Sequence, residues 1–280
     1  MAANPSLQPP RPTGPQNPPS GSSYDASFYE EFSDVSNDSA VALIPVLKGL
    51  LPVQSVLDTG CGLGSFLREF QRQGVTDLTG IEGEWARTAS LLISPAVYRF
   101  HDLQEPFDLG RRFDLVLCLE VAEHLEGRFA DALVATLVRH GDAICFSAAI
   151  PGQGGTHHVN EQWPDYWVER FRAQGYDAFD LIRPEVYRDE RVALYYSLNT
   201  LLYAKRNSEA HRRLSSRGAP VQGRVPFRIP LRTRHTRHPW GARAVFLANL
   251  VPSVRFREWA YLRLQRFRQF LSRSSGTGPN

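Results

Sequence analysis

Short apolar runs alternate with longer amphipathic stretches through the middle of this 280-residue chain. The runs predict seven β-strands, at residues 55–58, 78–81, 97–100, 113–119, 143–147, 179–182 and 200–204. The stretches between them predict helices at residues 66–70, 86–93, 128–139 and 163–174. Strands that alternate with helices are typical of a parallel sheet covered by helices. The pattern therefore predicts a doubly wound α/β fold with a seven-stranded, mostly parallel sheet.

The two ends of the chain differ from this middle part. Residues 1–23 hold seven prolines and almost no large apolar side chain, so we expect a disordered leader. Helical patterns follow at residues 24–32 and 40–51. From Lys205 onward there are 17 Lys and Arg residues but only two Glu, although the whole chain has a formal net charge of only +3. We predict an enzyme domain at 24–205 and a basic, partly helical C-terminal extension at 206–280.

The basic extension contains an amphipathic pattern at residues 256–271, with apolar side chains on one face and arginines elsewhere. Such a helix could dock on the main domain, on a second subunit in a homodimer, or on an anionic membrane surface. No base-reading module accompanies the charge, so specific nucleic-acid binding is not expected.

The cellular setting is predicted from cysteines and apolar runs. Cys61, Cys118 and Cys145 lack metal-type spacing and lie in or beside apolar runs, which predicts reduced, buried thiols. The chain shows no signal-peptide pattern and no apolar run of about 18 residues. We expect a cytoplasmic protein, with peripheral contact at the inner membrane surface as the alternative.

A glycine-rich turn follows the first predicted strand, with glycines at positions 60, 62 and 64. A turn without β-carbons lets a ligand lie against the backbone at the carboxyl edge of the sheet. The dinucleotide fingerprint would need Gly or Ala at position 65, where this chain has Ser65. The spacing GxGxG instead resembles the S-adenosyl-L-methionine (SAM) turn of class I methyltransferases, which have a Rossmann-like fold.

Acidic residues lie at the ends of the next strands. Glu82 stands about twenty residues beyond the glycines, where a carboxylate can accept hydrogen bonds from ribose hydroxyls. Asp102 could bind an adenine amino group, and the end of the fourth strand would flank the methionine part. The predicted SAM-binding residues are Asp58, Gly60, Cys61, Gly62, Gly64, Glu82, Gly83, Asp102, Leu103, Leu119 and Glu120.

Several longer motifs resemble one group of bacterial methyltransferase-domain proteins, which is often linked to polysaccharide or natural-product biosynthesis. The motifs are Ser55-Val56-Leu57-Asp58 with its glycines, Gly80-Ile81-Glu82-Gly83, residues 119–125, residues 146–167 and residues 195–202. The resemblance implies a class I SAM-dependent methyltransferase that releases S-adenosyl-L-homocysteine (SAH) and methylates a small-molecule or glycan acceptor. The chain departs from the group at Thr59, at Glu82, where Asp is common, and at His157, where a small residue is expected.

Histidines supply the candidates for acid–base chemistry. Methyl transfer is an in-line displacement, so alignment of the reacting groups is central, but a hydroxyl acceptor must also lose its proton. A histidine suits that task because its pKa lies near neutral pH. The predicted catalytic residues are His158 first, with Glu161 as its orienting partner, then His157 and His124.

Several alternatives stay open. His158 could instead hold its loop closed, and the aromatic residues Trp163, Tyr166 and Trp167 could form either an acceptor wall or core. Although His157, His158 and Glu161 resemble a metal-ligand set, adjacent histidines seldom reach one ion, so no metal site is predicted. O-methylation is the main hypothesis. The alternatives are N-methylation of an amino sugar or amine, and a SAM-binding scaffold without turnover.

Overall fold

Seven strands in one sheet form the centre of the protein, and the computed structural model describes residues 26–225, with side chains from residue 34. The strands are β1 (Ser55–Thr59), β2 (Asp77–Glu82), β3 (Tyr98–Phe100), β4 (Leu115–Leu119), β5 (Ala143–Ser147), β6 (Tyr176–Phe179) and β7 (Leu201–Lys205). Their order in the sheet is β3-β2-β1-β4-β5-β7-β6. Strands β1 to β5 are parallel, whereas β7 is antiparallel to both β5 and β6. The predicted doubly wound, mostly parallel sheet is confirmed.

Helices cover both faces of this sheet. The α-helices are α1 (Ala26–Leu50), α2 (Ser65–Arg72), α3 (Ala130–His140), α4 (Pro164–Ala173), α5 (Arg183–Val186), α6 (Leu194–Asn199) and α7 (Glu209–Ser215). Four 3-10 turns lie at Glu84–Thr88, Pro95–Val97, Ala122–His124 and Gly127–Phe129.

The core consists of two apolar layers that share β4 and β5. Every residue of these two strands is buried, as expected for strands covered on both faces. Along β4, Leu115 and Leu117 face the layer that contains α1 and α2, whereas Val116 faces the layer that contains α3 and α4. The alternation follows from the two-residue period of a strand, which sends successive side chains to opposite faces.

Three predicted elements differ in the structure. The two N-terminal helical patterns belong to one helix, α1, which continues through Pro45. The helix predicted at 86–93 is only the 3-10 turn Glu84–Thr88, because the Leu92 N–H donates to the Leu63 carbonyl of the glycine turn (2.8 Å) instead of a helical partner. The strand predicted at 179–182 lies at Tyr176–Phe179, where it pairs with β7.

Other predictions are confirmed or fall outside the described residues. Cys61, Cys118 and Cys145 are buried and unpaired, as predicted. Within residues 26–225, no helix combines the length and the apolar character that crossing a membrane requires. The predicted leader at 1–23 and the amphipathic helix at 256–271 lie outside the described residues, so the domain limits stay predictions.

A buried hydroxyl ties α1 to the C-terminal half of the domain. Ser39, which is fully buried, accepts a hydrogen bond from the Ala193 N–H (2.9 Å) and donates to the Val35 carbonyl (2.7 Å). Buried backbone donors are almost always paired in native proteins. Ser39 therefore satisfies the donor that precedes α6.

Replacement of this hydroxyl should destabilise the fold. In Ser39→Ala the buried Ala193 N–H loses its acceptor, so the free energy of unfolding should fall by about 1–3 kcal/mol in urea denaturation. Ser90→Ala, at an exposed position, is the control and should change it by less than about 0.5 kcal/mol. Equal stability of the two variants would contradict the assigned role of Ser39.

Candidate active site

A cavity of about 750 Å³ opens at the carboxyl ends of the parallel strands. Residues from the ends of β1, β2 and β4 line it, together with the loop after β5 and α6. Chain order reverses between β1 and β4, and ligands of open α/β sheets bind at such switch points. The volume falls within the range of small-molecule sites. The cavity is therefore the candidate active site.

The glycine turn forms the floor of this cavity. Gly60, Gly62 and Gly64 all have positive φ angles, of 78°, 54° and 92°. At Gly60 a Cβ atom would overlap the side chain of Val121, which also lines the cavity. Only glycine adopts this backbone without strain and leaves room for the opposite wall.

Glu82 connects the end of β2 to this turn. Its Oε2 accepts a hydrogen bond from the Gly62 N–H (2.7 Å), and its Oε1 accepts from the Gly83 N–H (2.9 Å) and from Trp85 Nε1 (3.2 Å). Burial raises the pKa of Glu82, while the backbone donors oppose that shift. A carboxylate has about four acceptor positions, so Glu82 retains capacity for a ligand hydroxyl.

The walls of the cavity are acidic. Burial, followed by the negative charge of Glu82, raises the pKa of Asp58 from 3.8 to about 7. Burial also raises the pKa of Glu120. Buried carboxylates are costly unless a positive partner approaches them. The sulfonium and ammonium groups of SAM are such partners, so the predicted cofactor fits both the glycine floor and the charge of the site.

Glu120 lies at the end of β4 with a left-handed backbone (φ 55°). Its carboxylate accepts hydrogen bonds from Gln153 Nε2 (2.8 Å) and Asn199 Nδ2 (3.2 Å). Asn199 Nδ2 also donates to Gln153 Oε1 (2.9 Å). This network was missed from the sequence, because its members are 33 and 79 positions from Glu120 and carry no local signal.

The loop after β5 is closed by Glu161. The carboxylate accepts hydrogen bonds from the backbone N–H groups of Gly152 (2.7 Å) and Gly154 (2.8 Å), and from His158 Nδ1 (3.0 Å). Because Nδ1 donates to a carboxylate, Nε2 of His158 is left as the acceptor in the neutral ring. Gly155 permits this arrangement, since a Cβ there would overlap the imidazole ring.

Glu123 and His124, which follow β4, contact this loop. Both residues lie in the 3-10 turn Ala122–His124. The Glu123 carbonyl accepts hydrogen bonds from the Val159 N–H (2.9 Å) and the Asn160 N–H (3.0 Å). These bonds bring the loop close to His124, and the ring centroids of His124 and His158 lie 4.9 Å apart. Burial, followed by the positive charge of His158, lowers the pKa of His124 to about 4.

The structure brings most of the predicted site residues together. All the predicted cofactor residues line the cavity except Gly64, which packs behind it on Tyr98 and Ile93. The three candidate histidines also line it, and Glu161 reaches it through His158. Their roles remain predictions.

Trp163, Tyr166 and Trp167, for which the sequence left open an acceptor wall or core, do not line the cavity. Trp167 is core, with 2% of its surface exposed and its ring 5.0 Å from that of Phe146. The cavity is instead lined by Trp85, Tyr195 and Tyr196. Tyr195 and Tyr196 belong to the motif at residues 195–202 that resembles the methyltransferase-domain group. That resemblance was the sequence signal that could have placed them at the site.

Comparisons with known proteins agree with this architecture. A family model described as a methyltransferase domain matches residues 26–181. A search of curated proteins gives no significant match.

Three solved structures that match this chain all have TM-scores below 0.5. The sugar N-methyltransferase KedS8 from Streptoalloteichus sp ATCC 53650 has 15% identity over 71% of this chain and 100% of that chain (TM-score 0.49). Streptomyces venezuelae DesVI has 22% identity over 46% of this chain (TM-score 0.40), and the match spans 58% of the DesVI chain. Magnesium protoporphyrin IX methyltransferase from Synechocystis PCC 6803, with bound SAM, has 20% identity over 66% and 86% of the two chains (TM-score 0.43).

Substitution at Gly60 tests the cavity floor. Gly60→Ala should weaken SAH binding by about tenfold or more in calorimetric titration, because the new Cβ displaces Val121 or the turn. Gly74→Ala is the matched control, since Gly74 has a similar φ of 88° but no atom lies within 4 Å of its added Cβ. Equal loss of affinity in both variants would show that backbone strain alone is responsible.

The raised pKa of Asp58 predicts how the free energy of unfolding depends on pH. Between about pH 4 and pH 7 the folded protein retains a proton on Asp58 that the unfolded chain releases, so the free energy of unfolding falls as pH rises. Asp58→Asn removes this loss. Without cofactor, the variant should be more stable than wild type by about 1 kcal/mol or more at about pH 8, and the difference should shrink toward about pH 4. Urea denaturation at both pH values checks this, and a less stable variant at the higher pH would contradict it.

Proposed function

The chain belongs to the methyltransferase-domain family and is a SAM-dependent methyltransferase, and we propose that it methylates a hydroxyl group of a sugar, glycan or related natural product. The observation that supports this acceptor chemistry most directly is the His158–Glu161 pair, whose Nδ1 and Oε1 atoms lie 3.0 Å apart at the cavity. A hydroxyl acceptor needs a base, and a histidine held by a carboxylate is such a group.

The cofactor is assigned to the glycine side of the cavity. Gly60 and Gly62 would let it approach the backbone, Glu82 would accept its ribose hydroxyls, and Asp102 would take its adenine amino group. When bound, SAM supplies an electrophilic methyl group on a sulfonium. Leu119 and Glu120, at the end of β4, would flank the methionine part. Cys61, Gly83 and Leu103 complete the proposed wall, and Gly64 supports the turn from behind.

His158 is proposed as the proton acceptor. The acceptor hydroxyl would donate its proton to Nε2 as the oxygen approaches the methyl carbon. Glu161 would stabilise the resulting imidazolium through its 3.0 Å hydrogen bond to Nδ1. His124 supports the same assignment, because its low pKa keeps it uncharged at neutral pH and avoids repulsion of the imidazolium. His157 is exposed beside the same loop and ranks behind both.

The acceptor is assigned to the aromatic side of the cavity. Tyr195 and Tyr196 lie edge to face, with ring centroids 4.7 Å apart, and both line the cavity. Aromatic faces pack against the apolar faces of sugar rings, while hydroxyl groups remain free for hydrogen bonds. A sugar between these rings and His158 would be held in position for alignment with the methyl group.

N-methylation is a second candidate, and the buried carboxylate of Glu120 favours it. A protonated amino group near Glu120 would gain a charge-assisted hydrogen bond. The amine attacks only in its neutral form, so Glu120 would first take the proton of the ammonium group, and His158 would matter less.

Removal of the proposed base separates these functions. With methyl-labelled SAM and a panel of sugars, sugar nucleotides and natural products, His158→Ala should lower kcat by about 100-fold or more on a hydroxyl acceptor, with unchanged SAH affinity. The control is His211→Ala, since His211 forms an equally short pair with Asp177 (3.0 Å) outside the cavity.

Two other outcomes would contradict the proposed O-methylation. Nearly full activity of His158→Ala on an amine would support N-methylation and contradict the base. Tight SAH binding without transfer to any member of the panel would contradict both proposed acceptor classes.

A further inference from the structure

Three potential metal ligands converge on one wall of the cavity. Glu123, His124 and His158 each offer one ligand atom, and these three atoms lie within 4.8 Å of one another. The three side chains also line the cavity, so an ion among them would be open to a bound molecule. The set differs from the His157, His158 and Glu161 alternative of the sequence, because Glu161 faces Nδ1 of His158 from the loop side.

The carboxylate of Glu123 has little compensation within the described residues. Glu123 is 1% exposed, and neither of its carboxylate oxygens makes a hydrogen bond of ordinary geometry there. The backbone N–H groups of Glu123 and Ala149 lie near enough to lower the pKa of this carboxyl, but burial opposes them more strongly. A buried carboxylate normally pairs with a cation, accepts hydrogen bonds or coordinates a metal. Asn160 lies nearby, but its side-chain amide donates to the Ala122 carbonyl instead (3.5 Å). The two Glu123 oxygens are thus available to an ion in the cavity wall.

Each of the two histidines makes a hydrogen bond that orients its ring. His158 donates from Nδ1 to Glu161, and His124 makes a hydrogen bond with the backbone of His157. Histidines that ligate metals usually donate their other ring N–H to a carboxylate or a backbone carbonyl, which fixes the tautomer and the ring orientation. Glu161 is itself held by two backbone N–H groups, so the position of His158 is defined before any ion binds.

We propose that Glu123, His124 and His158 bind one divalent transition-metal cation, such as Zn²⁺, Mn²⁺ or Co²⁺. Two imidazoles and one carboxylate suit these ions, whereas Mg²⁺ and Ca²⁺ prefer sets made of oxygen. Three protein ligands leave coordination positions open for another molecule. The site is a wall of the proposed acceptor pocket, so an acceptor oxygen is the group that would occupy an open position.

The purpose of the ion, but not its binding, rests on the proposed O-methylation. A cation in contact with the acceptor oxygen would favour its ionised form by charge, and the hydroxyl proton would pass to solvent water in the open cavity. His158 would then be a ligand, and it would not also take the proton on Nε2. The base and the ion are therefore alternatives that the same protein, prepared with and without metal, distinguishes.

Metal binding is tested on the full chain after treatment with chelator. Co²⁺ is the probe, followed by its visible absorption and by calorimetry, and Zn²⁺ is then used in competition. Wild type should bind one equivalent, and Glu123→Gln and His158→Ala should each weaken binding by at least about tenfold. Glu161→Gln leaves the three ligands in place but alters the partner of His158 Nδ1 and an acceptor of the Gly152 and Gly154 N–H groups, so it should weaken binding by about tenfold. The control His211→Ala should bind as wild type does, because its imidazole–carboxylate pair lies elsewhere.

The results decide the proposal in either direction. Loss of the Co²⁺ spectrum in Glu123→Gln and His158→Ala, with SAH affinity and circular dichroism unchanged, would support it. Absence of binding in wild type, or binding of equal strength in all variants, would overturn it. Methyl transfer by the metal-free protein is measured separately. If that protein is fully active and binds no Co²⁺, the ion is excluded and the proposed function stands.

Discussion

The contact between Glu82 and the glycine turn is the constraint on which the site depends. Parallel pairing aligns Asp58 with Gly80 and Thr59 with Ile81, so β1 and β2 end side by side. The Glu82 carboxylate then bridges the strand ends through the Gly62 and Gly83 N–H groups. Without that bridge, the Gly62 N–H would have no hydrogen-bond partner within residues 26–225. The geometry of the turn and the charge of the site thus come from one side chain.

The cavity holds several buried acidic side chains. Burial of their charges lowers the stability of the folded chain, but the same charges would attract positive ligands. Burial raises the pKa values of Asp58, Glu82, Glu120 and Glu123, and the negative charge of Glu120 also raises that of Glu123. Folding alone does not relieve this cost, because desolvation outweighs the hydrogen bonds present. Positive ligands do relieve it. A sulfonium cofactor at one end and, in our proposal, a metal ion at the other would each find negative charge already in place.

The wall that we propose for the acceptor is held in place by hydrogen bonds to the backbone of its loop rather than by charge. Glu161 gathers Gly152, Gly154 and His158, and the Glu123 carbonyl holds the far end of the same loop. Preorganisation of this kind supports catalysis, because a reactive side chain needs no rearrangement when its substrate arrives. In both of our proposals, the base and the metal ion, Glu161 would act through His158 and is therefore a positioning residue.

The sequence by itself determined the layers and the cofactor side of the site. Apolar runs marked β4 and β5, and glycine spacing with strand-end acids placed the cavity floor, because these signals are local. Tertiary structure decided the rest. The network of Gln153 and Asn199 on Glu120 spans up to 79 positions. Segment 86–93 is not a helix, because Leu92 bonds to the glycine turn. Glu123 and His124 are adjacent in the sequence, but His158 joins them only through loop contacts across the fold. No local pattern encodes which distant partner a buried polar group will meet.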